Sequence, residues 1–190
     1  MRYLAKSNPS KILEEGWRYS IPSHRPKIRE ELLKEQYNFC AYTERYITPI
    51  DACDIEHFDE RKKKNINGED DYWNWYAVHH WINMHKRSIT NFSPIMLPYD
   101  DTLPERIRYV DGEFRAIDED DIEAHHLIEF LGWNNPKVAE YRAKVIARHR
   151  EVHQLFFAGD DEKFIEYMKQ DSENLSFITA LEAELGLSFS

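Results

Sequence analysis

The chain has 190 residues, 42% of them apolar and 14% aromatic, which is enough for one packed domain and excludes a disordered or low-complexity protein. Two cysteines exclude a disulfide scaffold, and the absence of a long apolar run or a signal-peptide pattern leads us to expect a cytoplasmic protein without a membrane partner. The formal net charge of −10 argues against a nucleic-acid partner without excluding one.

Residues 1–39 are predicted to form an irregular N-terminal segment followed by a helix. Prolines keep the first part irregular, because proline has no backbone N–H and a fixed φ. Pro26 can begin a helix, and Ile28, Leu32 and Leu33 then recur at helical spacing.

Residues 40–98, called the middle segment below, hold most of the unusual chemistry. A short strand is predicted over residues 50–58, and it ends with the pair Glu56-His57. A polar loop with an Asn-Gly turn follows. The stretch from 76 to 87 then predicts a helix of about three turns.

The predicted helix of the middle segment places three polar residues on one face. His79, Asn83 and Lys86 are spaced i, i+4 and i+7. A strand that ends with an acid and a histidine, packed against this face, would form a compact polar cage.

Residues 99–190 are predicted to be helical apart from one hairpin. The hairpin covers residues 106–117, with a type I′ turn at Asp111-Gly112. Helices are predicted over residues 118–132, 136–157, 160–169 and 176–185. The expected fold is a single α+β domain, mostly helical, with a small β-hairpin.

The middle segment suits hydrolysis of a phosphodiester, which needs a base for water, a cation and a group that orients the base. His57 suits the base, because the ordinary pKa of imidazole, about 6.5, lies near working pH. Glu56 and Asn83 offer the hard oxygen ligands that Mg²⁺ or Mn²⁺ prefers. Asn74 could hold the imidazole, and Lys86 could contact a phosphate oxygen.

At these residues the sequence resembles the HNH (ββα-metal) endonucleases, and most of all the small nucleases of retron- and Septu-type antiphage systems, the PtuB-like group. The family pattern runs roughly C-x-Y-C-E, E-H-F, W-x-N-L and C-x-x-C-N-x-x-K. The matching stretches are Cys40-Ala41-Tyr42-Thr43-Glu44, Glu56-His57-Phe58, Tyr72-Trp73-Asn74-Trp75 and His79-His80-Trp81-Ile82-Asn83-Met84-His85-Lys86. Weaker similarity extends over most of the chain.

The resemblance implies a ββα-metal (HNH) core in the middle segment, embedded in the helical domain. It implies that His57 is the general base and that Asn74 orients it. It further implies that Glu56 and Asn83 hold one Mg²⁺ or Mn²⁺ and that Lys86 contacts the phosphate.

The chain departs from the family at the structural zinc site. Family members commonly carry zinc on two C-x-x-C pairs, a four-sulfur site. Here Cys40 and His79 remain as possible remnants, because Thr43 and Ile82 stand at the other two ligand positions. We therefore expect structural zinc to be absent and aromatic side chains to take over its packing.

Charge is distributed unevenly along the chain. Residues 1–50 carry a net charge of +3, whereas residues 99–190 carry −11. Basic residues near the candidate site are possible nucleic-acid contacts: Lys62, Lys63, Lys64 and Arg87. Such a run is also typical of a solvated loop.

The favoured interpretation is an HNH endonuclease that cleaves DNA, or less readily RNA, in bacterial antiphage defence. Members of the resembled family act beside an ATPase, so the acidic part could dock on such a partner. One alternative is a catalytically silent HNH-like module that binds nucleic acid or a partner, and another is a phosphoesterase acting on small diesters. If His57 is the base, activity should change between about pH 5 and pH 8.

Overall fold

The computed structural model describes residue 6 and residues 9–189, and it has an α+β architecture with two small antiparallel hairpins in the described part. The N-terminal part contains helix α1 (Lys11–Glu14), a 3₁₀ turn (Pro22–His24) and helix α2 (Arg25–Glu35). The helix predicted after the prolines is confirmed in α2. The prediction of an irregular segment misses α1, because a single turn capped by Ser10 is too short to give a periodic pattern.

The middle segment forms an antiparallel hairpin followed by a helix. Strand β1 (Cys53–His57) pairs with strand β2 (Trp75–His79), so that His57 lies opposite Trp75 and Glu56 opposite Tyr76. Helix α3 (His80–His85) begins directly after β2. The order of elements is therefore strand, strand, helix.

The helix predicted over residues 76–87 is wrong at both ends. Residues 76–79 belong to β2, and Lys86 follows the last residue of α3. All five residues of β2 are buried, so the strand lacks the alternation of polar and apolar residues that would distinguish it from a buried helix. His79, Asn83 and Lys86 consequently do not share one helix face.

The two faces of the hairpin have different partners. Ile55 and Ala77 lie in a buried cluster with Ile28 and Leu32 of α2. The other face of β1 directs its acidic side chains to α3, because alternate residues of a strand point to opposite sides. Helix α2 thus supports the hairpin from behind, and α3 closes the polar side.

The C-terminal part is a second hairpin surrounded by helices. Its bounds are α4 (Leu103–Arg106), β3 (Ile107–Val110), β4 (Glu113–Ala116), α5 (Ile122–Leu131), α6 (Pro136–Phe157), α7 (Asp161–Gln170) and α8 (Ile178–Leu185). The hairpin around Asp111-Gly112 is confirmed, and both residues have the positive φ, 52° and 82°, that a type I′ turn requires. The four predicted helices are also confirmed in α5 to α8, whereas α4 was not predicted.

One hydrophobic core connects the middle segment with the C-terminal helices. Tyr42 and Tyr76 from the middle segment lie in the same buried cluster as Phe130 of α5 and Phe177 before α8. No helix in the described part of the chain is long and apolar enough to cross a membrane.

Candidate active site

The hairpin and the end of α3 bring Lys86 to the carboxylate of Glu56 and to the backbone of His57, whose imidazole lies on the opposite face of β1. The Lys86 ammonium donates a hydrogen bond to the Glu56 carboxylate and a second, of 3.2 Å, to the backbone carbonyl of His57. The carboxylate of Glu60 lies 3.8 Å from the same nitrogen. Lys86 therefore occupies a small cage of oxygen atoms at the end of β1.

The Glu56–Lys86 pair is buried, with side chains 7% and 10% exposed. Burial lowers the pKa of Lys86 to about 8, which still leaves the ammonium mostly charged at neutral pH beside the carboxylate. A buried pair of this kind compensates its own desolvation, and losing one partner leaves an uncompensated charge.

The imidazole of His57 is only 1% exposed and is held through its Nε2 atom. Nε2 lies 2.9 Å from the carbonyl oxygen of Glu69, and the indole nitrogen of Trp75 lies 3.0 Å from both atoms. A carbonyl can only accept a hydrogen bond, and an unprotonated Nε2 at this distance would repel it. We assign the proton to Nε2, so that the ring donates to the Glu69 carbonyl. The indole N–H of Trp75, which lies within hydrogen-bond distance of both atoms, then donates to the same carbonyl.

This tautomer leaves the lone pair of the ring on Nδ1. Nδ1 of His57 is buried and has no hydrogen-bond partner among the described residues. Burial also lowers the pKa of His57 to about 4, so the ring is neutral at physiological pH. A neutral imidazole with a free Nδ1 can accept a proton, but a pKa of about 4 makes it a weaker base than the ordinary imidazole expected from the sequence.

A stretch of the N-terminal segment covers this imidazole. The ring of Tyr19 contacts that of His57 edge-on, with centroids 4.6 Å apart. The adjacent Ser20 donates two hydrogen bonds to the Asp70 carboxylate, from its backbone N–H at 2.9 Å and its hydroxyl at 2.8 Å. We call this pair of bonds the Ser20–Asp70 clasp, and it ties the N-terminal segment to the loop that carries Glu69.

Asn74 lies directly before β2 and is 3% exposed. Its amide oxygen accepts the backbone N–H of Asp59 at 2.8 Å, and its amide nitrogen donates to the Asp59 carbonyl at 3.0 Å. The direct contact expected between Asn74 and the imidazole of His57 is therefore not made. Asn74 instead fixes the chain two residues after His57, so any effect on the ring passes through the backbone.

Asn83 contacts a carboxylate that the sequence analysis overlooked. Its amide nitrogen donates to Asp54 at 2.9 Å, and the Nδ1 atom of His80 lies 2.8 Å from the same oxygen. Asp54 precedes Glu56 by two residues, so both carboxylates lie on the face of β1 that meets α3. That spacing within a strand was the signal that could have identified Asp54.

The donor atoms of this face suit a hard divalent cation. Asp54, Glu56 and Asn83 supply carboxylate and amide oxygens, which are the ligands that Mg²⁺ and Mn²⁺ prefer. Lys86 now neutralises Glu56, so a cation bound there would have to displace the ammonium. No cluster of three or more His, Cys, Asp or Glu side chains poised to hold a metal occurs within residues 9–189.

The loop between β1 and β2 depends on a glycine. A Cβ atom built on Gly68 would lie 1.7 Å from the carbonyl oxygen of Lys62, far inside van der Waals contact. Gly68 immediately precedes Glu69, whose carbonyl holds His57. The absence of a side chain at position 68 therefore allows the loop to fold back on itself beside the imidazole.

The two possible remnants of a zinc site lie together. The backbone N–H of His79 donates to the Cys40 sulfur at 3.4 Å. Among the described residues, no hydrogen bond joins the imidazole of His79 to that sulfur. Its Nε2 atom lies 3.7 Å from the Asp51 carboxylate. The aromatic side chains Tyr42 and Tyr76 lie in the same buried cluster as Cys40.

The basic residues predicted to contact nucleic acid are partly neutralised. Lys62 pairs with Asp71 at 2.9 Å, and Arg87 pairs with Glu129. Lys63 and Lys64 are exposed in a 3₁₀ turn. The run thus belongs to the solvated loop beside His57.

Three residues of the site escaped the sequence analysis besides Asp54. Glu69 acts through its backbone carbonyl, which no sequence motif can reveal. Trp75 and Tyr19 were visible only as aromatic residues, and their contacts with His57 depend on the hairpin register and on the path of the N-terminal segment.

No protein-family model, curated protein or solved structure matches the chain.

Proposed function

We propose that this chain is a divalent-metal-dependent HNH endonuclease that hydrolyses phosphodiester bonds in DNA. The observation that carries the proposal is the state of His57 at the end of β1. With the proton assigned to Nε2 beside the Glu69 carbonyl, Nδ1 keeps a lone pair that no described residue uses. The proposal further takes the strand–strand–helix unit as the ββα-metal core of that class.

The residues around His57 have separate roles in this proposal. His57 accepts a proton from water at Nδ1, while the Glu69 carbonyl holds the ring. Lys86 lies at the same strand end and can contact a phosphate oxygen once it leaves Glu56. Bound to the oxygens of Glu56 and Asn83, Mg²⁺ or Mn²⁺ would supply a Lewis acid for the phosphate and its leaving group.

Access to His57 requires movement of the N-terminal segment. The imidazole is covered by Tyr19, and the Ser20–Asp70 clasp holds that cover in place. We propose that binding of DNA, or of a protein partner such as an ATPase in antiphage defence, opens this cover. RNA is the less favoured substrate.

The test is cleavage of plasmid and single-stranded DNA by the purified chain with Mg²⁺ or Mn²⁺. The wild type should cut, and both EDTA and His57→Asn should abolish cutting, because the base is lost. His125→Asn is the matched control, since His125 is exposed on α5. Circular dichroism of both variants shows whether they are folded.

The pH profile tests the role of His57 independently. Since burial lowers its pKa to about 4 in the closed free chain, kcat/KM for cleavage, which reports the free protein, should stay constant from pH 8 to pH 5 and fall toward pH 4. This moves the limb below the range expected from the ordinary pKa of histidine.

A second candidate function is supported by the Glu56–Lys86 ion pair. An internal ammonium in the oxygen cage stabilises this site without any metal. A catalytically silent HNH-like module that binds nucleic acid or a partner would be expected to keep such a pair. Folded wild-type protein that binds DNA but stays inert with Mn²⁺, with and without an ATPase partner, would favour this function.

A further inference from the structure

A cavity of about 210 Å³ lies where α3, α6 and the residue before α8 meet, away from His57. Its walls are mainly apolar and include the aromatic side chains of Trp81, Tyr141 and Phe177. Trp81 and Tyr141 are 37% and 46% exposed, so they form its rim. The cavity can admit one planar ring, and it is smaller than the roughly 300 Å³ at which pockets for drug-sized ligands begin.

A histidine that lines this apolar cavity has a buried ring nitrogen without a hydrogen-bond partner. His79 lines it, is 8% exposed, and its Nε2 atom has no hydrogen-bond partner among the described residues. The nearest carboxylate, that of Asp51, is 3.7 Å away, beyond hydrogen-bond length. Buried ring nitrogens are normally paired, so this atom indicates a missing partner with polar atoms on its edge.

Two cations border the same cavity, whose lining includes no acidic residue. The Arg45 guanidinium lies 5.2 Å from the centre of the Tyr141 ring, and the Lys137 ammonium lies 5.9 Å from that of Trp81. Arg45 has its nearest carboxylate at 3.7 Å, and Lys137 has no ion pair within the described residues. Lys137 is thus unpaired among the described residues, whereas Arg45 would have to share its guanidinium between Asp51 and a bound anion.

A second, more polar cavity of about 340 Å³ lies beside the first. The two share Arg45 and Tyr141, and the second is also lined by Arg148 and His149. Nδ1 of His149 is buried and likewise lacks a hydrogen-bond partner among the described residues. The acidic residues Asp171 and Glu173 also line this cavity, and Arg45 is the cation that both cavities share.

We propose that this two-part cleft binds a nucleotide. The base enters the apolar cavity, where aromatic rings contact its faces and His79 pairs with a polar atom on its edge. The phosphate lies against Arg45, whose guanidinium offers a planar set of donors. Aromatic rings combined with cations are the usual means of binding unpaired nucleotides.

The nucleotide can be free or part of a single strand, and the binding does not depend on cleavage. Equilibrium dialysis of the full chain in EDTA tests it with AMP, adenosine, ribose 5-phosphate, inorganic phosphate and a short single-stranded DNA. AMP should bind saturably, and adenosine and ribose 5-phosphate should each bind about tenfold more weakly, since each lacks one half of the ligand. Binding of the DNA strand but not of AMP identifies a strand as the source.

Variants assign the binding to the cleft. Tyr141→Ala and Arg45→Ala should each weaken binding of AMP, or of the strand, by about tenfold. Both side chains are more than a third exposed, so the fold should tolerate the changes. Lys144→Ala is the matched control, because Lys144 lies on α6 and pairs with Glu140 outside the cleft.

Two results would overturn the proposal. One is the absence of saturable binding of both AMP and the strand at concentrations up to about 1 mM. The other is unchanged binding in folded Tyr141→Ala and Arg45→Ala. Neither result bears on His57. Loss of cleavage in a His57 variant reports on the candidate active site, and loss of nucleotide binding in a cleft variant reports on the cleft.

Discussion

Lys86 places its ammonium among the oxygen atoms of Glu56, the His57 carbonyl and Glu60. This is the environment that a divalent cation would also favour, and the two cations must compete for Glu56. The same lysine therefore stabilises the folded chain and opposes binding of a metal. Its two roles can be separated by substitution.

Replacing Lys86 with methionine should lower the free energy of unfolding at pH 7 by about 3 to 5 kcal/mol, because Glu56 is left buried without a partner. Adding Glu56→Gln should recover much of the loss. Urea unfolding of both single variants and the double variant gives the coupling between the residues. Lys63→Met, at an exposed position, serves as the control, and equal losses in the two lysine variants would contradict the prediction.

The imidazole of His57 should make stability depend on pH. Because burial lowers its pKa from 6.5 to about 4 in the folded state, the unfolded chain binds the extra proton between these values. Its contribution is fully present above about pH 6.5 and is lost as the pH falls toward 4, by about 3 kcal/mol. Urea unfolding between pH 7 and pH 4.5 should therefore show a shallower decline in His57→Asn than in the wild type. Equal slopes would show that other groups cause the decline.

At the scale of elements, the loop between β1 and β2 holds the site more directly than either strand. Gly68 allows its tight path, Glu69 holds the imidazole, and Asn74 bonds both backbone groups of Asp59. These contacts position the two residues that follow the end of β1. Disturbing the loop should thus affect the chemistry of His57 without touching its side chain.

Gly68→Ala should lower stability and, if the proposed nuclease function holds, cleavage as well. The added methyl group would lie 1.7 Å from a backbone oxygen, so the loop must shift and the Glu69 carbonyl must move with it. We expect a loss of at least about 2 kcal/mol in unfolding free energy and a larger proportional loss of cleavage. A variant as stable and active as the wild type would show that the loop is more adaptable than its contacts suggest.

Asn74→Ala should lower the free energy of unfolding by about 1 to 3 kcal/mol, because it leaves two backbone groups of Asp59 without their partner. Asn74→Asp retains the acceptor for the Asp59 N–H but loses the donor to its carbonyl. Urea unfolding should therefore show that both variants are less stable than the wild type. Asn91→Ala, at an exposed position, should have no effect.

The elements differ in how far the sequence could predict them. Helices α5 to α8 follow from apolar spacing and from caps such as Asn135 and Gly132, which are local signals. Strand β2 could not be distinguished from a helix because both of its faces are buried, a property of the tertiary fold. The same holds for the candidate site. His57 and Glu56 could be identified from their residue types, but the partners of Asn74 could not be predicted, because they depend on how the loop closes.

At the scale of the whole molecule, Glu44 connects the middle segment with the C-terminal helices. Its backbone carbonyl accepts the Phe177 N–H at 2.9 Å, and its carboxylate accepts the N–H and the hydroxyl of Thr179 at 3.0 and 2.6 Å. The carboxylate thereby satisfies donors in the first turn of α8. Together with the shared core, these bonds indicate one cooperative unit.

Glu44→Ala should therefore destabilise the chain as a whole, by about 2 to 3 kcal/mol, because charged hydrogen bonds are lost. Tryptophan fluorescence and far-ultraviolet circular dichroism should give coincident urea transitions in the wild type and in the variant. Glu151→Ala, at an exposed position of α6, is the control. Two separate transitions would show that the hairpin and the C-terminal helices unfold independently.

The closed path of the loop at Gly68 also has a consequence for ancestry. Seven of the 17 positions between β1 and β2 are exposed and place little constraint on the side chain, but a side chain at position 68 collides with the backbone. A descendant that keeps the imidazole held by a carbonyl must keep this glycine eleven residues after the histidine, or else rebuild the whole loop. When distant relatives of the chain are sought, a glycine at that distance is a more discriminating marker than the lysine run beside it.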